Sequence, residues 1–289
     1  MFKYGVHTFI WSEYFTEKDL PLIERAKSLG FEVVDIGILN PKALESFPIK
    51  GVKEKVKEAG IEVVILTPMS KDTNLIDPNP EIRKNGIEFL KKLVDVSIEV
   101  GSKILAGEIC EAVGYLTGRP RTKDEWGWSV EAMREVCLYA KNISDIILAV
   151  EVVNRFETHF LNTAEDAVKY CKDVGTGNIK VHLDSYHMIR EEKSFKEAVE
   201  VCGNEFLGYV HVCENNRGIP GTGLVPWEEF FRALKNIGYK GSLTIEAFDP
   251  NFTELNKVTA TWRYYTDTGE ELAIQGLRNL KEIEKHLGL

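Results

Sequence analysis

The sequence has few cysteines and lacks the motifs that would give them a role. Its five cysteines are odd in number and widely spaced, and no Cys-x-x-Cys occurs among the 289 residues. Closely spaced pairs would indicate a zinc site, and an even, regular set would indicate a disulfide framework. The pattern disfavours both and predicts reduced thiols that pack as small hydrophobic groups. They are Cys110, Cys137, Cys171, Cys202 and Cys213.

Long apolar runs and blocks of one charge sign are also missing. No hydrophobic stretch approaches the length of a membrane span, and the N-terminus "MFKYGVHTF" lacks the basic region and apolar core of a secretion signal. We therefore expect a cytoplasmic protein with no membrane partner. The formal net charge is −9, which disfavours nucleic acid as a partner because phosphate binding needs a basic face. A small polar ligand stays compatible with this charge.

Short apolar runs alternate with amphipathic segments along the whole chain. Segments such as "NPEIRKNGIEFLKKLVDVSIEVG" and "TAEDAVKYCKDVG" repeat apolar residues every three to four positions and end in glycine, as helices do. Eight strand–helix units without a linker predict an α/β fold, a (β/α)8 TIM barrel that forms one domain over residues 1–289. A doubly wound open sheet is the alternative, but no Gly-x-Gly-x-x-Gly follows the first strand. The strand candidates are "YGVHTF", "EVVDIGI", "EVVILT", "KILAGE", "ILAVEVVN", "IKVHLDS", "LGYVHVCE" and "GSLTIEAF".

Two loops stand out among the predicted connections. The segment "ICEAVGYLTGRPRTKDEWGW" follows the fourth strand and is too long and irregular for a tight turn. Because barrel enzymes keep their sites at the carboxyl ends of the strands, we expect residues 108–127 to form a lid or a pocket wall. A tolerated surface insertion is equally compatible with this stretch alone. After the seventh strand, the glycine-rich "ENNRGIPGTG" predicts a mobile loop over the mouth of the barrel.

Each of the last four strand candidates carries one ionisable residue, and these residues are Glu151, Asp184, His211 and Glu246. Their separations of 33, 27 and 35 residues are each close to the roughly 30-residue unit of a barrel. Neighbouring strands lie ~5 Å apart, so the four side chains can meet at one point. Taken singly, each has an ordinary structural explanation, such as an ion pair between Glu151 and Arg155. A buried charge needs a partner or a metal, and three carboxylates with one imidazole suit Mn²⁺, Mg²⁺ or Co²⁺ better than structural zinc.

Several stretches resemble one family of sugar-converting enzymes. "EVVNRFETHFLNTAEDAVKYCKDVG", "VHLDSYHMIREE", "GYVHVCENNRGIPGTGLVPW" and "TIEAF" are similar to the ketose 3-epimerases that act on D-tagatose, D-psicose (D-allulose) or L-ribulose. These belong to the xylose-isomerase-like barrels, and the similarity runs from "YGVHTFIWS" through "TWRYYTDTGEELA". His7, Phe15 and residues 108–127 differ from the D-psicose enzymes. The resemblance therefore leaves the preferred ketose open.

The resemblance implies a role for each candidate site residue. It makes Glu151, Asp184, His211 and Glu246 the metal ligands, and it makes Glu151 and Glu246 the catalytic pair as well. The residues that would hold the first carbons of the sugar are Glu157, His187 and Arg217. Of these, Glu157 is also compatible with a mere surface ion pair to Arg155. The implied cofactor is a divalent metal, with Mn²⁺ preferred to Co²⁺ or Mg²⁺.

The implied reaction inverts C3 of a free, unphosphorylated ketose. The C3 proton is acidic only if the resulting enediolate is stabilised, which a divalent cation does as a Lewis acid. Inversion then needs a base on one face of the carbon and an acid on the other, and two carboxylates supply both. An aldose–ketose isomerase of the same barrel type is the alternative. An abasic-site endonuclease would need more metal-binding histidines than the six present and a basic groove, which the −9 charge disfavours. A non-catalytic sugar-binding barrel is disfavoured because both candidate acid–base glutamates, Glu151 and Glu246, are present.

The last expectation concerns assembly. The segment "TWRYYTDTGEELA" after the last strand is rich in aromatic residues, which need a surface to cover them. Trp262, Tyr264 and Tyr265 could pack on their own barrel. The resemblance instead favours a homodimer or a homotetramer built from two dimers.

Overall fold

The centre of the molecule is a closed parallel barrel of eight short strands. The computed structural model describes residues 2–288, in which each strand pairs with its neighbours in chain order and the first closes on the last. This confirms the predicted (β/α)8 barrel, and the alternative prediction of a doubly wound open sheet is wrong. The strands are β1 (Lys3–His7), β2 (Val33–Gly37), β3 (Glu62–Leu66), β4 (Ile104–Gly107), β5 (Ile147–Glu151), β6 (Ile179–Asp184), β7 (Leu207–His211) and β8 (Ser242–Ile245).

Helices surround this barrel and connect its strands. Gly101 and Gly175 end two of them in the left-handed conformation, with φ of 86° and 71°, which glycine adopts without strain. The α-helices are α1 (Pro21–Ser28), α2 (Pro41–Glu45), α3 (Ile49–Ala59), α4 (Pro80–Val100), α5 (Lys123–Ile143), α6 (Ala164–Val174), α7 (Ser185–Glu191), α8 (Phe195–Phe206), α9 (Trp227–Asn236), α10 (Thr253–Thr259) and α11 (Gly269–His286). Short 3₁₀ turns cover Thr8–Ile10, Glu17–Asp19 and Lys71–Thr73.

The core has two apolar layers, one between sheet and helices and one inside the barrel. The inner layer is small. Ionisable residues stand at the carboxyl ends of β5, β6 and β7. The inner layer consists of Val33, Val64, Leu66, Ala106, Ala149 and Tyr209.

Some sequence-based boundaries were wrong. The strand candidates ran too far, since β5 ends at Glu151 and β7 at His211 although apolar residues continue into the loops. The predicted irregular segment also ends early, because α5 begins at Lys123. Thr122 and Glu125 form a reciprocal capping box there, in which each side chain accepts a hydrogen bond from the backbone of the other.

Other sequence-based expectations agree with the fold. The five cysteines are buried free thiols, as predicted. No helix between residues 2 and 288 is both long and apolar enough to span a membrane. The range 1–289 for the single domain stays a prediction, since Met1 and Leu289 lie outside the described residues.

The capping carboxylate of α5 predicts a pH-dependent contribution to stability. Burial alone would raise the pKa of Glu125, but hydrogen bonds from Arg119, at 2.9 Å, and from Thr122 lower it from 4.5 to about 2. A lowered folded-state pKa stabilises the protein above about pH 4.5, and this contribution disappears as the pH falls toward 2. Glu125→Gln should therefore lower the free energy of unfolding by about 2–3 kcal/mol at pH 7.

The measurement is urea unfolding of parent and variant between pH 7 and pH 2.5. The difference between the two proteins should shrink as the pH falls below 4.5. Glu131→Gln, at an exposed position of the same helix, is the control and should show no such difference. A gap between parent and Glu125→Gln that stays constant with pH would contradict the assignment.

Candidate active site

The four ionisable residues predicted as ligands lie together at the carboxyl end of the barrel. Glu151, Asp184 and His211 are the last residues of β5, β6 and β7, and Glu246 directly follows β8. The strand register sets Asp184 beside His211. Asp184 and His211 are fully buried, and the Glu151 and Glu246 side chains are 5% and 11% exposed.

The possible ligand atoms fall into overlapping groups whose members lie within 4.8 Å of one another. One group joins Asp184, His211 and Glu246, and Cys213 adds a thiol to it. Glu151 shares groups with Asp184 and with His211, but no group contains both Glu151 and Glu246. The two glutamates thus flank the cluster from different sides. The cluster brings together all four predicted ligands.

One ring nitrogen of His211 fits a metal ligand. Nε2 lies 3.1 Å from the Asp35 carboxylate, which leaves Nδ1 to face the cluster. Nδ1 is buried without a hydrogen-bond partner among the described residues and lies 3.7 Å from Oε2 of Glu246. A carboxylate behind the imidazole is the usual arrangement that orients a metal-ligating histidine. Three buried carboxylates and this free nitrogen form a donor set that fits a divalent cation.

Arg217 places a positive charge between two of the carboxylates. Its Nη1 donates hydrogen bonds to Asp184 at 2.7 Å and to Glu246 at 2.8 Å. The backbone of Arg217 has a φ of 61°, which is rare and strained for a residue with a side chain. Burial would raise the pKa of Glu246, but the charge of Arg217 outweighs it and holds that pKa well below its ordinary value.

Glu151 has the opposite electrostatic environment. Burial and the nearby carboxyl group of Glu108 raise its pKa well above the ordinary value. The imidazole of His182 lies 3.5 Å from Glu151 but is held neutral, because burial lowers its pKa well below 6.5. Two carboxyl groups whose pKa values are driven apart are the usual sign of an acid and a base in one site. A bound cation would act against the increase for Glu151.

His187, one of the residues predicted to hold the sugar, lies beside Glu151 and is linked to Glu157. Asn154 connects them, since its side-chain amide lies 2.7 Å from Glu157 and 2.9 Å from Nδ1 of His187, which also accepts the Asn154 backbone N–H. Because Nδ1 is an acceptor, a neutral His187 carries its hydrogen on Nε2. That atom is 3.6 Å from Glu151. Arg155 pairs with Glu191 at 2.9 Å and not with Glu157, so the surface ion pair considered for Glu157 is absent from the described residues.

A cavity of about 550 Å³ opens above this cluster and is lined by residues at the strand ends and in the segments that follow them. Glu151, Glu157, Arg217 and Glu246 are among its lining residues. Such a volume accommodates a small polar molecule. Residues 108–127 were predicted to form a lid or a pocket wall. Three of them line the cavity, namely Glu108, Val113 and Gly114.

The glycine-rich loop after β7 is fixed by one buried carboxylate. Glu214 accepts backbone hydrogen bonds from Asn215, Gly221 and Val225 and a fourth from the indole of Trp227, at 2.9–3.1 Å. The sequence predicted a mobile loop, but these four bonds tie both ends of it together. The loop therefore provides a rigid support for Arg217.

Four residues without a predicted role lie in or beside the cluster. Asp35 contacts His211, His182 contacts Glu151, and Cys213 lies beside Asp184 and Glu246. Glu108 lines the cavity, and burial together with the charge of Glu157 raises its pKa to about 8. An ionisable residue in or just after an apolar strand was the available signal for Asp35, Glu108 and His182. Only one such residue in each of the last four strands was predicted to lie in the site.

Known proteins share this architecture and much of this sequence. A family model described as xylose isomerase-like TIM barrel matches residues 23–283. The L-ribulose 3-epimerase of Methylomonas sp. is 31% identical over 283 residues, which cover 97% of each protein. The D-psicose 3-epimerase of Ruminiclostridium cellulolyticum is 31% identical over 271 residues, covering 93% of this chain and 92% of that protein. The solved structure of a D-allulose 3-epimerase from Methylomonas sp. with D-allulose matches with a TM-score of 0.90 at 31% identity, covering 97% of this chain and 96% of the other.

Proposed function

The chain belongs to the xylose isomerase-like TIM barrel family, and we propose that it inverts C3 of a free, unphosphorylated ketose. Its relatives at about 30% identity are ketose 3-epimerases, so it is an isomerase that acts on sugars. Candidate substrates are D-tagatose, D-psicose, D-fructose and L-ribulose. The cytoplasmic location expected from the sequence stays a prediction.

The observation that carries this proposal is the arrangement of the two glutamates. Glu151 and Glu246 flank one buried cluster from different sides and have pKa values shifted in opposite directions. Inversion of a carbon requires a proton acceptor on one face and a proton donor on the other. Glu246 is suited to remove the C3 proton of one epimer, and Glu151 is suited to deliver a proton from the other side. The roles exchange in the reverse direction.

Other residues would position the sugar between this pair. His187, with its hydrogen on Nε2, and Arg217 are donors suited to the oxygens on C1 and C2. Glu157, held by Asn154, is suited to accept a hydrogen bond from the C1 hydroxyl. These groups fix the carbonyl end of the substrate, and orientation of this kind makes a large contribution to rate.

Glu151, Asp184, His211 and Glu246 would hold a divalent metal, for which we propose Mn²⁺ ahead of Co²⁺ or Mg²⁺. When bound, such an ion supplies Lewis-acid stabilisation of the charge that develops as C3 loses its proton. Occupation of the site requires Arg217 to share or leave its contacts with Asp184 and Glu246. Its two hydrogen bonds at 2.7 and 2.8 Å make it a neutralising group for the carboxylates.

The decisive experiment is NMR of the product mixture from each candidate ketose with added Mn²⁺. We expect the C3 epimer and no aldose. Aldose formation would instead identify the isomerase that moves a proton between C1 and C2. No change in any ketose, with metal bound and the protein folded, would contradict both assignments.

Asp35 predicts a test of the ligand set that is independent of turnover. Its carboxylate fixes the ring of His211 from behind, and loss of such a partner typically costs 10–100-fold in metal affinity. We expect Asp35→Asn to weaken Mn²⁺ binding by about that factor in calorimetric titration. The control is Asp95→Asn, at an exposed position of α4. Unchanged Mn²⁺ affinity in Asp35→Asn would show that His211 is not a ligand.

We also propose that the protein forms a homodimer or a homotetramer. Trp262 and Tyr264 are 72% and 63% exposed, whereas Tyr265 packs against its own barrel. Exposed aromatic side chains of this size are typical of surfaces that contact another chain. A monomeric mass in light scattering at micromolar concentration would overturn this proposal.

A further inference from the structure

The cavity has two unlike halves. Residues from the ends of β5–β8 supply the candidate ligands and the groups that face C1 and C2. The half formed by the ends of β1–β4 contributes no predicted ligand, and Glu108 is its only carboxyl group among the described lining residues. If Glu151 and Glu246 act on C3, the remaining carbons of the ketose extend into this second half, which is therefore the distal half.

His7 lies at one junction between the two halves. The register of β1 and β8 pairs Val6 with Ile245, so His7 and Glu246 each follow by one residue and lie side by side. Nδ1 of His7 accepts the Phe9 backbone N–H at 3.1 Å, which leaves the hydrogen of a neutral ring on Nε2. That Nε2 is buried and has no hydrogen-bond partner within residues 2–288. Stacking on Phe9, with ring centroids 3.9 Å apart, fixes the ring.

Glu108 lies at the other junction. The register of β4 and β5 pairs Gly107 with Val150, so Glu108 and Glu151 occupy the next positions on adjacent strands. The Glu108 side chain lines the cavity, and no other residue of the described chain donates a hydrogen bond to it. The donor at His7 and the carboxyl group at Glu108 thus stand next to the two glutamates that would act on C3, on the distal side of each.

Other polar side chains of the distal half form hydrogen bonds within the protein or lie at its exposed rim. The Thr67 hydroxyl donates to the carbonyl of Ile38 at 2.7 Å, and Asn40 caps α2 by accepting the Ala43 N–H at 2.9 Å. Ser70 bonds to the hydroxyl of Thr73, and Tyr14 and Lys71 are exposed at the rim. The hydrogen-bonding groups left in this half for a ligand near C3 are therefore those of His7 and Glu108.

We propose that His7 and Glu108 form a subsite for the C4 hydroxyl of the ketose and select the configuration at C4. The inference rests on the proposed function, because the position of C3 between Glu151 and Glu246 fixes where C4 lies. Nε2 of His7 donates to the C4 oxygen, and the Glu108 carboxyl group binds the hydroxyl hydrogen. In the C4 epimer of the preferred sugar, the C4 hydroxyl points away from one of these two partners. That partner then stays in a buried site without a hydrogen bond, and this cost gives the strongest discrimination that hydrogen bonds can provide.

The test compares D-fructose with D-tagatose, which differ only in the configuration at C4. For the parent protein we expect unequal kcat/KM values for C3 inversion of the two sugars. Glu108→Leu and His7→Phe should each bring this ratio at least about tenfold closer to one, mainly through KM for the preferred sugar. Glu108→Gln keeps an oxygen and an N–H in place and should retain most of the selectivity.

Glu111→Gln is the matched control, since Glu111 is a buried glutamate of the same segment that does not line the cavity, and it should keep the parent ratio. Melting temperature and Mn²⁺ affinity establish that each variant is folded and binds metal. Two results would overturn the subsite without affecting the proposed C3 inversion. One is a parent protein with equal kcat/KM values for the two sugars. The other is a kcat/KM ratio that stays within about twofold of the parent ratio in both Glu108→Leu and His7→Phe. If the parent inverts no ketose at all, the proposed function fails. If it inverts L-ribulose but neither of these two sugars, the proposed function stands, and calorimetric binding of both sugars to parent and Glu108→Leu decides the subsite.

Discussion

Treatment of the purified protein with a chelator should abolish C3 inversion, and Mn²⁺ or Co²⁺ should restore it better than Ca²⁺. Three buried carboxylates meet at the cluster, and Arg217 neutralises only part of their charge. A cation that supplies the missing charge is needed to stabilise the carbanion-like state at C3. Ca²⁺ prefers more ligands and longer bonds than this set offers. Full turnover by rigorously metal-free protein would contradict the assignment.

Metal removal should also lower the melting temperature. An ion that binds only the folded protein, present at 100 times its dissociation constant, stabilises it by about 2.7 kcal/mol, which corresponds to a shift of about 4 °C for a chain of this size. Scanning calorimetry with and without Mn²⁺ measures the shift. Asp184→Asn removes one charged ligand and is the control, and its melting temperature should respond much less to Mn²⁺. An equal response in both proteins would place the stabilising ion elsewhere.

The barrel was predicted from the alternation of apolar runs with amphipathic segments, and the position of the cluster from a separate physical reason. A charged residue in an apolar strand is costly unless something compensates it, so Asp184 and Glu151 marked functional positions without any knowledge of the fold. Regular spacing then indicated successive strands of a barrel. The same cost applies to Asp35 in "EVVDIGI", for which no role was predicted and whose partner no sequence pattern reveals. Asp35 meets His211 across the barrel interior, at a separation of 176 residues, and only the closed geometry brings these two together.

Loop structure and side-chain pairing were the parts that sequence patterns could not determine. The glycine-rich segment after β7 was predicted to be mobile, but Glu214 accepts four hydrogen bonds that connect its two ends. The spacing of residues in the sequence does not show these bonds. Arg155 has two acidic neighbours within reach along the chain, and it pairs instead with Glu191 on α7. Such choices depend on the relative placement of elements, which a one-dimensional pattern does not contain.

Replacing either flanking glutamate by glutamine should separate proton removal from inversion. Glu246→Gln keeps an oxygen that can bind a metal but removes the proton acceptor, so C3 inversion should fall by about 10²- to 10⁴-fold or more. Glu151 would still face the C3 proton of one epimer. In D₂O that epimer should exchange its C3 proton without inverting, and Glu151→Gln should show the complementary preference. NMR of the C3 position follows both processes in one sample.

Glu254→Gln provides the control, because Glu254 is an exposed glutamate at the rim of the same cavity and pairs with Lys257; this variant should invert C3 at the parent rate. Bound metal has to be measured in each variant, since loss of the ion would stop both exchange and inversion. If Glu246→Gln and Glu151→Gln retain metal and still invert C3 at the parent rate, neither glutamate moves the proton. If the parent inverts C3 without taking up deuterium there, proton exchange through two separate carboxylates is wrong, because an acid that has exchanged with solvent must deliver deuterium to the carbon.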